Sequence, residues 1–178
     1  KYKFWGREFF FLIIIGGMMI PVQVFMIPLY SLIIDVKLVN TYYALTIPYF
    51  GNIFGMFLMR QFMLTVPNDF IDAATIDGCS QFGVFFRIII PQVKAALAAL
   101  AIFLFMMSWN DYIWPLIVIN SEHMRTLPLG LGAFIHQRST RYDLLMAASI
   151  MTILPIMVVF IIAQRRFIEG IALTGLKT

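Results

Sequence analysis

The stretch "DFIDAATIDGCSQFGVFFRIIIP", residues 69–91, lies between two long apolar segments and differs from both in composition. It contains three aspartates, an Ala-Ala pair, two glycines and a proline, whereas its neighbours are almost free of charge. Such a pattern predicts a short helix, a glycine turn and a second helix. We call residues 67–92 the bracket. It is too small to bury a core of its own, so it requires a partner surface from the rest of the chain or from another protein.

Local signals predict where the two helices of the bracket begin and end. Asn68 or Asp69 can cap the first helix, and Gly78 is well placed as the left-handed residue that ends it. Ser80 can cap the second helix, which Pro91 is expected to end. The apolar side of the first helix is supplied by Phe70, Ala73, Ala74 and Ile76.

The composition indicates a membrane protein. Of 178 residues, 61% are hydrophobic and only 12% are charged, and whole helix-length windows lack charge. Cys79 is the only cysteine, which excludes an intrachain disulfide and any zinc site with two cysteine ligands. The sequence has no basic stripe interleaved with aromatic residues, so nothing in it indicates nucleic-acid binding. No catalytic motif and no metal-ligand spacing stands out.

Four windows are long and apolar enough to cross a bilayer, which predicts an all-α, polytopic membrane helix bundle. The windows cover about residues 9–34, 42–63, 95–119 and 144–163. Pro21 and Pro28 lie in the first window, Pro48 in the second and Pro155 in the fourth. A membrane helix tolerates proline where protein or a water-filled cavity satisfies the freed backbone groups. The kinks and polar residues therefore favour a bundle that lines a path.

The distribution of basic residues predicts the orientation. Four spans place the N-terminus, residues 64–94 and the C-terminus on one side, with nine Lys and Arg against four on the other. The first side is therefore predicted to be cytoplasmic. Its basic residues are Lys1, Lys3, Arg7, Arg60, Arg87, Lys94, Arg165, Arg166 and Lys177.

Polar residues near the end of the third window are candidates for contact with a transported solute. Asp111 and Asn110 could hydrogen-bond sugar hydroxyls, while Trp109 or Tyr112 could stack on a sugar ring. The alternative is that the aromatic residues form an interfacial belt and Asp111 is solvated. Weaker candidates for the pathway are Gln23 and Asn52, for which an interhelical hydrogen bond is the alternative.

The bracket resembles the EAA loop of ABC-transporter permeases. The family pattern is E-A-A, three residues to a glycine, then about nine more to I-x-L-P. Ala73, Ala74, Gly78, Ile88 and Pro91 match it at the right spacing. Asp77, before the glycine, is also common in the family.

The chain departs from the family pattern at three positions. Asp72 replaces the usual Glu, which keeps the charge on a shorter arm, and Ile90 stands where Leu is usual. Ala95 follows Lys94 where many members have Pro, so the third span is expected to begin with less of a kink.

The resemblance extends over nearly the whole chain and is closest to the carbohydrate permeases of the maltose-transporter type. It rests on "MIPVQVFMIPLY" (19–30), "SWNDYIWPLIVIN" (108–120), "RTLPLGL" (125–131), "LMAASIMTILP" (145–155) and "QRRFIEGIALTGLK" (164–177). Members usually have six spans, so residues 1–178 are expected to be the C-terminal portion of a type I importer transmembrane domain that lacks about two N-terminal spans.

The resemblance implies a transport subunit rather than an enzyme, working on a sugar or related solute. Two permeases, commonly a heterodimer, form the pathway in the bilayer of a bacterial-type plasma membrane. Cytoplasmic ATPases bind the EAA loops, and an external solute-binding protein delivers the solute. The ATPase-coupling residues would be Asp72, Ala73, Ala74, Asp77 and Gly78. The chain contains no phosphate-loop motif, so ATP would be bound by the partner and no cofactor is expected.

Two other classes of function remain open from the residues. A secondary transporter or channel would need an ionisable residue near the bilayer midplane, and none is convincing. An intramembrane enzyme would need paired catalytic residues, and the sequence pairs nothing with Asp111 or Asp143.

Overall fold

A computed structural model describes residues 4–135 and 141–175, with side chains up to Gln164. Throughout these residues the secondary structure is helical, with no strand. In chain order the α-helices are α1 (Arg7–Met18), α2 (Val22–Asp35), α3 (Tyr42–Thr46), α4 (Ile53–Thr65), α5 (Asn68–Ile76), α6 (Gln81–Val84), α7 (Ile90–Gln92), α8 (Lys94–Trp109), α9 (Ile113–Val118), α10 (Leu127–Leu131) and α11 (Tyr142–Gly175). The predicted all-α class is confirmed.

One compact unit comprises Lys1–Met19, Ile53–Phe103 and Ile162–Thr178. Its first two helices, α1 and α4, lie side by side, with the Phe11 and Phe57 rings stacked 6.2 Å apart. A Cβ atom on Gly17 would lie 3.0 Å from Ile53 Cδ1, so glycine permits the close approach of the two helices.

The second compact unit comprises Ile20–Asn52 and Leu104–Ile161. Its core is built around the buried Trp114 side chain, whose indole Nε1 donates a hydrogen bond to the Ala44 carbonyl oxygen at 2.8 Å. The bond satisfies the polar end of the indole, so its apolar body can pack without leaving an unpaired donor. The buried members of this core are Ile33, Ala44, Trp114, Val118, Ile119 and Leu129.

Within the described residues, one unbroken helical stretch, Tyr142–Gln164, is long and apolar enough to cross a membrane. Two pairs of helical segments, each bent at a short break, are also long and apolar enough when the two members are taken together. Length and composition therefore allow up to three spans. The first sequence window is interrupted between α1 and α2, where Pro21 precedes the first residue of α2. The third is interrupted between α8 and α9. Four spans therefore remain a prediction.

The end of the bracket lies close to the proline that was predicted to end it. The helix ends at Gln92, one residue after Pro91, and a π-helical turn at Phe85–Ile89 comes just before the proline. The axis turns by 76° between Gln81–Gln92 and Lys94–Trp109, and that this is less of a kink than in members with proline at position 95 stays a prediction. Val93, whose backbone leaves the helical region between them, sets this bend without a proline at position 95.

Candidate functional site

The turn of the bracket has the geometry that its glycine predicts. Gly78 adopts a left-handed φ of 78°, and its N–H bonds to the Thr75 carbonyl oxygen at 3.0 Å. The Cys79 N–H bonds to the Ala74 carbonyl oxygen at 2.9 Å. This pair of bonds is a Schellman motif, which satisfies the last carbonyls of α5 and ends it sharply.

The two helix starts of the bracket differ in how they are capped. Ser80 Oγ accepts from the Gly83 N–H at 3.2 Å, as predicted. The prediction that Asn68 or Asp69 caps α5 is wrong, because Pro67 occupies the cap position and Asn68 is already the first helical residue. Asp69 instead lies in the first turn, where its charge suits the positive end of the helix.

A small apolar core holds the two arms of the bracket together, so the prediction that the bracket is too small to bury a core of its own is wrong. It is formed by Ala74, Val84 and Ile89, which are exposed by 9%, 2% and 2%, with Cys79 half-buried against them. A Cβ atom on Gly83 would lie 2.6 Å from Cys79 Sγ, so glycine at this position leaves room for the sulfur.

The predicted coupling residues divide between the inside and the outside of the bracket. Asp72, Ala73, Asp77 and Gly78 are exposed, whereas Ala74 faces the internal core. Of the four residues of the predicted apolar side only Ala74 is buried, while Phe70, Ala73 and Ile76 are exposed, so their burial against a partner surface stays a prediction.

The outward face of α5 includes a residue that the motif did not indicate. Asp69, Asp72, Ala73 and Ile76 are all exposed, and their spacing of i, i+3, i+4 and i+7 places them on one helical face. Ile76, at 85% exposure, is the most prominent apolar side chain of α5. The i, i+4 spacing from Asp72 could have identified Ile76 in the sequence. The face offers a partner two carboxylates and an isoleucine beside the glycine turn.

A second candidate region lies between α8 and α9, where residues 110–112 interrupt the helix. We call these residues the break. Trp109, the last residue of α8, donates from its indole Nε1 to the Thr152 carbonyl oxygen of α11 at 3.0 Å. The Asn110 amide turns back to the Met106 carbonyl oxygen of its own helix at 2.8 Å. These two polar groups therefore have protein partners of their own.

Asp111 has one hydrogen-bond partner that is distant in the chain and one that is close. Its carboxylate accepts a short hydrogen bond from the Tyr49 hydroxyl and a weaker one, at 3.5 Å, from the Trp114 backbone N–H. The second bond helps to cap α9. Tyr112 is exposed, so the structure does not gather the four predicted side chains into one polar site. Tyr49 was missed because 62 residues separate it from Asp111.

The remaining pathway candidates lie elsewhere in the same unit. Gln23 is exposed in the first turn of α2, and Asn52 is half-buried just before α4. Among the residues that the structure describes, no group of three or more His, Cys, Asp or Glu side chains could hold a metal ion.

Asn40 makes a clamp that sequence reasoning also missed. Its backbone is left-handed, with φ of 60°, and its side-chain Oδ1 accepts from the Asn120 N–H, the Ser121 N–H and the Ser121 hydroxyl at 2.7–3.0 Å. Its own N–H donates to the Val118 carbonyl oxygen at 2.8 Å. One side chain thus ties the loop before α3 to the end of α9.

Comparisons with known proteins give a consistent result over nearly the whole chain. Residues 1–172 match the family described as "Binding-protein-dependent transport system inner membrane component". The chain is 44% identical over 176 residues to the arabinooligosaccharides transport system permease protein AraQ of Halalkalibacterium halodurans, covering 99% of this chain and 63% of that relative. The AraQ protein of Bacillus subtilis is 38% identical with the same coverage.

A relative with a different named solute is also similar. The sn-glycerol-3-phosphate transport system permease protein UgpE of Brucella abortus is 36% identical over 175 residues, covering 97% of this chain and 62% of that protein. The chain therefore spans slightly less than two thirds of the length of these relatives.

Proposed function

We propose, on the premise that this chain belongs to the family of binding-protein-dependent transport system inner membrane components, that it is a permease subunit of an ATP-driven importer. The relatives are named for arabinooligosaccharides and sn-glycerol-3-phosphate, which are both small polyhydroxylated molecules. We therefore propose a sugar or related polyhydroxylated solute as the cargo.

The observation that carries this proposal is the outward face of the bracket. Asp72 and Ile76 project from a helix that Gly78 ends, while a small internal core fixes the shape of the whole. A rigid helix with an exposed acidic and apolar face suits insertion into a groove of a soluble partner. We propose that this partner is the ATPase subunit, which binds ATP while the permease itself needs no cofactor.

The assembly follows from the same proposal. This chain would pair with a second permease, in a heterodimer, and receive solute from an external solute-binding protein. Residues 1–178 would form the C-terminal portion of the transmembrane domain. The bracket and both ends of the chain would face the cytoplasm of a bacterial-type cell, which the charge bias supports. Part of that bias, at Lys1, Lys3, Arg138, Arg165, Arg166 and Lys177, falls on side chains outside those described.

Uptake into proteoliposomes tests the proposed function. The full-length permease, its partner permease, the ATPase and the solute-binding protein would be reconstituted together, with radiolabelled arabinotriose and sn-glycerol 3-phosphate as probes. We expect uptake of one probe to require ATP hydrolysis and to persist when ionophores abolish ion gradients. Uptake driven by an ion gradient without ATP would instead support a secondary transporter or channel.

A further inference from the structure

Hydrogen-bonded contacts join the segment before α4 to the segment after α8, within one compact unit. They run in antiparallel order, in which Asn40 meets residues 118–121, Ala44 meets Trp114, and Tyr49 meets Asp111. We call the last of these, the bond from the Tyr49 hydroxyl to the Asp111 carboxylate, the latch. Along the chain it lies at the opposite end of the paired segments from the Asn40 clamp.

The latch is the weakest of these contacts. The Asn40 clamp uses several hydrogen bonds, and the Trp114 side chain is only 5% exposed around its bond to the Ala44 carbonyl oxygen. The latch, in contrast, is the bond of one hydroxyl on a side chain that is 36% exposed. Exposed hydrogen bonds with few buried contacts open more readily than buried ones. We therefore expect the paired segments to separate first at the latch.

The latch joins two places where the helical backbone is interrupted. Tyr49 lies in a 3₁₀ turn, Ile47–Gly51, which the extended backbone of Asn52 separates from α4. Asp111 lies in the break itself. Both interruptions fall inside windows that are predicted to cross the bilayer, where non-helical backbone is tolerated only against protein or a water-filled cavity. Opening the latch would free both interruptions to rearrange.

The partners of Asp111 suit a bond that breaks and forms again. An ionisable residue inside a predicted span is costly and is usually functional. In the part of the chain that the structure describes, the Asp111 carboxylate forms no ion pair with Lys or Arg. Its strongest donor is the neutral Tyr49 hydroxyl, so breaking the latch leaves no second charge unpaired in the membrane. The freed carboxylate can accept from water instead.

We infer that the latch holds the arrangement seen in this structure and opens during each transport cycle, so that Tyr49 and Asp111 set how tightly ATP hydrolysis is coupled to solute movement. The inference rests on the proposed function. It makes Tyr49 a positioning residue that acts through Asp111, and it gives Asp111 a role other than the predicted contact with solute. Removing the latch would raise the fraction of assemblies in the open arrangement without solute, so ATP would be hydrolysed without import.

A double-substitution cycle in the reconstituted full-length assembly tests the latch. Tyr49→Phe removes only the hydroxyl, and Asp111→Asn removes the charge while keeping an oxygen for the Trp114 N–H. The readouts are the hydrolysis rate without solute-binding protein and the ATP hydrolysed per arabinotriose or sn-glycerol 3-phosphate imported. We expect each variant to raise both readouts about five- to tenfold. The double variant should show no more than either single one, because both remove the same bond.

The matched control is Tyr43→Phe, which removes the same hydroxyl from a side chain that is 65% exposed and lies outside the latch. It should leave both readouts unchanged. Raised hydrolysis in the two single variants, no further rise in the double variant and no change in Tyr43→Phe would support the latch.

The other outcomes separate the latch from the proposed function. An unchanged ratio of ATP to solute, even with a lower melting temperature, would show a structural bond only and overturn the latch. Additive effects would overturn it too, since the two residues would act independently. Failure of Tyr49→Phe to assemble, judged by size-exclusion chromatography, would do the same, because a bond that opens in each cycle cannot be required for folding. Uptake without ATP in the unsubstituted assembly would contradict the proposed function and the latch with it.

Discussion

The bracket and the break are both short interruptions in apolar sequence, but their shapes have different origins. In the bracket, the turn is made by bonds between residues at most five positions apart, from Gly78 to Thr75 and from Cys79 to Ala74. In the break, Asp111 bonds to Tyr49, 62 positions away, and Trp109 just before the break bonds to Thr152, 43 positions away. The bracket is thus shaped mainly by local chemistry, and the break by contacts within its whole unit.

The contrast has a functional meaning under the proposed function. A locally determined bracket can dock a partner and move as a rigid element while the spans rearrange. A break held by distant contacts would instead change when those contacts change, which suits a region near a solute path. Three substitutions test this contrast and a fourth tests the contact between α1 and α4, which lies outside both regions; they follow in order of decreasing expected effect.

Ile89→Ala should have the largest effect, because it leaves a cavity in the internal core of the bracket. A buried Ile→Ala change costs about 2–5 kcal/mol, and Ile89 is 2% exposed. Hydrogen–deuterium exchange of the purified full-length permease should show faster exchange across residues 68–92. The matched control is Ile76→Ala on the exposed face, which should leave exchange unchanged and weaken ATPase binding. Equal exchange in both variants would mean that the bracket has no core of its own.

Asn40→Gly tests the clamp at the end of α9, a long-range contact in the same unit as the break. It keeps the left-handed backbone but removes an oxygen that accepts from two backbone N–H groups, at a cost of about 1–3 kcal/mol. We expect faster amide exchange at Asn120 and Ser121. Asn40→Asp keeps both the acceptor and the tolerance for positive φ, so it should behave nearly as the wild type. If the two variants match, the side-chain oxygen does not hold the loop.

Gly78→Val tests the turn of the bracket. No atom lies within 4 Å of a Cβ built at Gly78, so the penalty is confined to the left-handed backbone, about 1–2 kcal/mol. The affinity for the ATPase, measured by titration of the labelled full-length permease, should fall about five- to thirtyfold. Gly78→Asn tolerates this backbone and should retain most of the affinity. Loss of binding in both variants would indicate a requirement for space rather than for conformation.

Arg60→Lys should have the smallest effect. The Arg60 guanidinium carbon lies 3.5 Å from the Phe11 ring centroid, and the same group bonds to the exposed Glu8 carboxylate. Lysine keeps the charge but loses the planar stacking, which is worth about 0.5–1 kcal/mol. The melting temperature of the full-length permease should fall slightly. A fall as large as that of Ile89→Ala would show that this pair holds α1 and α4 together more strongly than its exposure suggests.

The sequence allowed the bracket to be predicted more closely than the break, because the residues that shape the bracket interact with near neighbours in the chain. Gly78 and Ser80 act on neighbours three to five residues away, so their roles could be read from spacing. The error there arose at proline, because Pro67 occupies the cap position that was predicted for Asn68 or Asp69. This effect is not visible in a pattern of single residues.

The break could be recognised in the sequence only as a polar interruption. Nothing near Asp111 in the chain indicates that Tyr49 donates to it, and nothing near Thr126 indicates that its hydroxyl is enclosed without a partner. Asn40 was missed for the same reason, since its acceptor role depends on a loop 80 residues later. These features depend on packing, which composition and helical periodicity do not determine.

Cross-linking at the tip of the bracket tests the central claim most directly. Ile76→Cys in a Cys79→Ser permease would be paired with single cysteines along the groove of the cognate ATPase, in the full assembly, with and without ATP. The native Cys79, half-buried against the internal core, is the matched control. We predict strong cross-links from Ile76→Cys whose yield changes with ATP, and weak ones from Cys79. No cross-link from Ile76→Cys at any groove position, in an assembly that still hydrolyses ATP and imports solute, would show that the ATPase docks elsewhere.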